Sequence, residues 1–84
     1  MHTERLLDEI LHCIEDHYDE EEGGSRVTNE QISEWLASRA LPCESPTVAK
    51  YLKELGAKKV LRVDRLQRNR SKRIFRIPGF SPHD

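Results

Sequence analysis

His12, Cys13, His17 and Cys43 are of the types that bind metals or act as nucleophile–base pairs. Cys13 and His17 are one helical turn apart, so a helix would set both on one face, whereas the neighbours His12 and Cys13 must point in different directions. Structural zinc sites are built on close cysteine pairs, and no Cys-x-x-Cys occurs here. For covalent catalysis, a cysteine with a histidine is the only nucleophilic pairing, and no glycine-rich loop stands ready to cradle phosphate. Glu20, Glu21 and Glu22 could chelate a cation, but such a run more often solvates a surface. These residues imply no metal, no cofactor and no catalytic centre. The cysteines read as small core fillers, reduced in an intracellular setting (cytoplasm, nucleoid or nucleus), since no secretory signal precedes them and no apolar run reaches membrane-spanning length.

The chemistry that remains is charge recognition. The formal net charge of −1 hides a division: residues 1–44 carry three basic and twelve acidic side chains, and residues 45–84 carry eleven basic and three acidic ones. Such asymmetry points to a polyanionic partner, because each Lys or Arg placed on a phosphate releases condensed counterions. Arg62, Arg65, Arg68, Arg70, Lys72, Arg73 and Arg76 crowd into one segment. The acidic half could dock a basic protein partner, or repel DNA and so orient the domain.

The elements that must position these groups follow from hydrophobic period. Leu6, Leu7, Ile10, Leu11, Ile14 and Tyr18 recur at helical spacing, predicting a first helix over about 3–18, stopped by the acidic run and Gly23-Gly24. Thr28 and Gln31 form a capping box, with Val27 and Ile32 spaced as a hydrophobic staple, opening a second helix over about 29–40. Ser25-Arg26-Val27 could be a very short strand. Ser45 as cap and Pro46 at the first helical position open a third helix over about 46–55, with Gly56 placed to close it in the left-handed conformation. Val48, Leu52 and Leu55 face inward there, leaving Thr47, Lys50 and Lys53 outside. From Val60 the period drops to two: Val60–Asp64 and Arg73–Ile77 predict strands around a basic loop, a hairpin over about 59–77. A loosely ordered tail, 78–84, follows, with Phe80 free to fold back. The expected core is Leu7, Leu11, Ile14, Ile32, Trp35, Leu36, Val48, Leu52, Leu55, Leu61 and Phe75, all in one domain, since 84 residues leave little apolar surface over for a substrate pocket.

Helix, short strand, helix, helix and two-stranded hairpin in this order resemble the winged-helix layout. Val27-Thr28-Asn29-Glu30-Gln31-Ile32, Ser45-Pro46-Thr47-Val48 and the exit Leu52-Lys53-Glu54-Leu55-Gly56 carry the likeness. The segment is also similar to small C-terminal modules of virus, phage and plasmid replicative primase-helicases. It fits a stand-alone transcriptional regulator as well. Ser38–Glu44 is longer than the tight turn of simple helix-turn-helix proteins. The resemblance implies an α+β fold, three helices with a C-terminal two-stranded wing. It further implies a non-catalytic module that binds duplex DNA, in replication or transcription control. Helix three would read the major groove and the wing would lie on the backbone. The DNA-contacting residues expected are Ser45, Thr47, Lys50, Lys53, Arg62, Arg65, Arg68, Arg70, Lys72 and Arg73. A winged helix that binds protein within a larger assembly, or RNA, is the alternative.

Overall fold

A computed structural model describes residues 3–65 and 73–80. It is an α+β arrangement in which three helices pack on a four-stranded antiparallel sheet: α1 (Thr3–Asp16), β1 (Tyr18–Asp19), β2 (Gly24–Ser25), α2 (Asn29–Ser38), α3 (Ser45–Ala57), β3 (Arg62–Arg65) and β4 (Arg73–Arg76), with strand order β1-β2-β4-β3. The sheet is therefore wider than the expected two-stranded hairpin. The hairpin does not end the chain either: Ile77–Phe80 turn back, and the Phe80 ring meets Tyr18 edge-on at 5.4 Å.

The short strand expected at Ser25-Arg26-Val27 is present one residue earlier, as β2, and its partner β1 lies on the other side of the glutamate-rich turn. α1 stops at Asp16, two residues short of the expected end, and the His17 ring Nδ1 donates to the Cys13 carbonyl at 2.8 Å, satisfying an orphan acceptor of the last turn. Tyr18 and Asp19 then pair with Ser25 and Gly24. Between them the Asp19 carboxylate accepts from the Glu21 N–H at 2.9 Å, and Gly23 adopts φ 68°, so the acidic run is the tip of a hairpin. β2 continues the sheet through Ser25 opposite Phe75. A Cβ on Gly24 would lie 2.2 Å from Ile74 Cγ2 and 2.8 Å from the Phe75 carbonyl oxygen, so only glycine permits this approach.

α2 opens as its sequence predicts: the Gln31 N–H donates to Thr28 Oγ1 at 3.1 Å, and Gln31 Oε1 accepts from the Thr28 N–H at 2.8 Å. The start of α3 differs. Its N-cap is Glu44, without a side-chain bond; Ser45 is the first helical residue and Pro46 the second. Nor does Gly56 close α3. The helix runs on to Ala57, and the left-handed residue is Lys59, φ 62°. Lys59 and Val60 donate back to Gly56 and Leu55, just as Ala40 (φ 58°) and Leu41 donate to Ala37 and Leu36 beyond α2. Both helices thus end in Schellman motifs without glycine, each with a side chain strained by roughly 1 kcal/mol. Ala40→Gly and Lys59→Gly are each expected to stabilise the fold by about 0.5–1 kcal/mol in chemical denaturation; a lower midpoint for either would refute the strain.

Leu7, Ile14, Ile32, Leu36, Val48, Leu52, Leu55, Leu61 and Phe75 are buried as expected, joined by Ile10, Cys13, Val27 and Leu41. Leu11 and Trp35 are corrections, since both are only partly buried at the margin of the cluster. Trp35 lies under the Arg39 guanidinium, 3.6 Å from its ring centroid, and its Nε1–H donates to Glu9 at 3.2 Å. That donor has to reach a polar partner, which keeps the indole at the surface between α1 and α2.

Candidate nucleic-acid interface

Inward placement of Val48, Leu52 and Leu55 leaves Thr47, Lys50 and Lys53 exposed along the outer face of α3. Ser45 is half-buried in the first turn. Among the described residues neither Lys50 nor Lys53 has an acidic partner, whereas Lys58 reaches Glu54 at 3.8 Å one turn away.

Strand register distributes the hairpin cations. Arg62 lies opposite Arg76, Val63 opposite Phe75, Asp64 opposite Ile74 and Arg65 opposite Arg73. Because side chains alternate across a pleated sheet, Arg62, Asp64 and Arg76 share one face, and Val63, Arg73 and Phe75 share the other. This second face meets α3. A groove of about 380 Å³ runs between them, floored by Leu52, Leu61, Val63 and Phe75, with Lys53 on the helix side and Arg73 on the sheet side.

The hairpin arginines are thus not one equivalent set. Arg76 forms an ion pair with Asp64 and donates to the Gly23 carbonyl at 3.3 Å, and Arg62 lies 4.0 Å from Asp64. Asp64 therefore neutralises part of the face turned away from α3. Arg73 donates to Asn29 Oδ1 at the start of α2 and stacks over Phe75, 4.6 Å from its ring centroid. It anchors the hairpin to α2 while lining the groove. The sequence offered no signal for Asn29, which is separated from Arg73 by 44 positions. Arg65 is placed opposite Arg73 by its backbone. Arg68, Arg70 and Lys72 lie outside the described residues.

The acidic half has its own internal pairings. Arg39 meets Glu9 at 3.0 Å, and Arg26 meets Glu22 at 2.7 Å. Two of the three basic residues before position 45 are thereby committed to acids of the same half.

No family model, curated protein or solved structure matches the chain. Among the described residues no helix is long and apolar enough to cross a membrane.

The cysteine–histidine constellation takes a form unlike a reactive centre. Cys13 is fully buried; burial first, and the Asp16 charge second, push its thiol from the ordinary 9.0 to about 11, against a smaller opposing pull from Arg39. The His17 nitrogen nearest to it, 4.0 Å away, is engaged with the Cys13 carbonyl. Burial and the neighbouring Glu44 also raise the Cys43 thiol. Since folded Cys13 holds its proton more tightly than the unfolded chain does, its contribution to stability is complete below pH 9.0 and is lost progressively up to about pH 11. At mildly alkaline pH, iodoacetamide should label the partly exposed Cys43 first and Cys13 only in denaturant. Equal labelling of both in the folded protein would contradict the packing.

Proposed function

We propose that this chain is a non-catalytic winged-helix module that binds duplex DNA through the outer face of α3 and the α3-facing side of the β3–β4 hairpin. The observation that carries this reading is the convergence of cations from two elements: Lys50 and Lys53, without an acidic partner among the described residues, project from α3, and Lys53 and Arg73 flank one groove. A helix exposing short polar and basic side chains fits the major groove, where Thr47 and Lys50 would meet base edges. The basic hairpin beside it suits phosphate contact, which fixes position without reading sequence. The element order, with β2 laddered to β4, is compatible with the winged-helix layout. Control of replication or transcription is the process that the sequence resemblance implies for such a module.

The groove floor favours a second reading. Leu52, Leu61, Val63 and Phe75 form an apolar trough that an amphipathic segment of another protein could fill.

Titration of the whole chain against fluorescent duplex DNA, single-stranded DNA and duplex RNA separates these readings. We expect duplex DNA to bind most tightly. Replacing Lys50 and Lys53 together by alanine should weaken it about tenfold or more, and Arg62→Ala, on the opposite face, should change it little. Preference for RNA would redirect the reading to that polymer. Absence of binding to all of them at low salt would leave protein docking as the function.

A further inference from the structure

β3 forms a border of the sheet: β4 pairs along one side of it, and among the described residues no strand pairs with the other. A border strand offers a row of N–H and C=O groups to any extended partner. The exposed large apolar residues among those described, Val60 at 40% and Val63 at 37%, belong to this strand and its approach. The strand also carries a base and an acid on either side of an apolar residue, Arg62-Val63-Asp64. We propose that β3 is a self-pairing edge, joining two copies of this chain antiparallel about a dyad at Val63 into one continuous sheet.

Charge selects this occupant and this register. With Val63 facing Val63, Arg62 of each copy stands opposite Asp64 of the other, so the favourable cross-strand pair is made twice. Moving the dyad by one residue either way sets Arg62 against Arg62 or Asp64 against Asp64. Parallel pairing in register sets like against like throughout. Charges on an edge strand usually discourage association; here they discourage every neighbouring alignment and permit one. Arg62 is well placed to serve, its side chain being 68% exposed and only 4.0 Å from its own Asp64. Edge pairing extends a sheet in its plane, and an antiparallel dyad stands normal to that plane. Both copies of α3 therefore lie on the same side, uncovered and related by twofold symmetry.

An interface one strand wide falls well below the area of stable dimers, so the expected dissociation constant is on the order of 0.1–1 mM at low salt. Sedimentation of the whole chain at millimolar concentration, without nucleic acid, tests the proposal independently of DNA binding. Arg62→Asp and Asp64→Arg should each weaken self-association about tenfold or more, because each sets like charges opposite one another. Mixing the two variants should restore association between them, since acids then face bases at both positions. Asp64→Arg also removes the pairing with Arg76, so Val63→Lys provides a variant that keeps it. That substitution opposes like charges at the dyad and should abolish association while the melting temperature stays close to the parent's. A parent that stays monomeric at millimolar concentration, or a mixture that associates no better than its components, overturns the proposal. Association undiminished in Val63→Lys does so too.

Discussion

Phe75→Ala is expected to destabilise the protein by about 3–5 kcal/mol, the range for truncating a buried aromatic side chain. Phe75 is 1% exposed and sits where the sheet and the helices meet: Val63 of β3 lies opposite it on one side and Ser25 of β2 on the other. Its ring also supports the Arg73 guanidinium at 4.6 Å. Truncation would open a void under α3 and release the arginine that ties the hairpin to Asn29. Domains of this size have a total stability of about 4–12 kcal/mol, so the loss is about a quarter or more of the whole. Urea denaturation followed by circular dichroism measures it. Trp35→Ala, at the partly exposed margin, should cost clearly less, about 2 kcal/mol. If the tryptophan variant proved the less stable of the two, the core would be centred between α1 and α2 and not on the sheet.

The second large effect concerns salt. If duplex DNA meets Lys50, Lys53 and Arg73 together with cations of the 65–72 segment, about five phosphates are neutralised, and log affinity should fall against log salt with a slope near −4.5. Raising salt from about 50 to about 200 mM would then weaken binding roughly 500-fold. Removing Lys50 and Lys53 should flatten the slope by about two units, because each lost contact retains its counterions in both states. Arg62→Ala should leave the slope nearly unchanged, its guanidinium lying on the face shared with Asp64 and Arg76. Thr47→Ala should alter preference between sequences and not the slope, since an uncharged side chain releases no counterion. A slope of about −1 or shallower for the parent would sink the proposed interface whatever its affinity.

Features decided within a few residues were readable directly. The capping box at Thr28 and Gln31 depends only on neighbours in one turn, and it is present as the sequence implies. Inward stripes such as Val48, Leu52 and Leu55 follow from helical period, because one face must leave water whatever lies opposite. The drop from helical to alternating period after Val60 likewise marked the hairpin. Failures came where a local preference competed with a distant demand. Gly56 carried the usual signal for ending a helix, yet α3 continues until the chain must turn Leu61 into the core, and Lys59 accepts the left-handed strain. Tyr18 fitted the helical stripe of α1 but serves as a strand residue, because the Asp19–Gly23 turn brings it against Ser25.

For the candidate interface, the sequence by itself determined the stock of cations, their concentration after position 45 and the outward face of α3. Which of the hairpin arginines accompany that face was decided only by tertiary structure. Alternation says that Arg73 and Arg76 point to opposite sides of their strand, but only the pairing of β3 with β4, and of β4 with β2, says which side looks toward α3. A register shifted by one residue would exchange the two sides with no change in composition, charge or periodicity. The register is held by contacts between segments far apart in the chain: Phe75 against Ser25, Gly24 admitting Ile74, and Arg73 bonded to Asn29. None of these leaves a mark in any local stretch of residues, because each exists only once the chain has closed on itself.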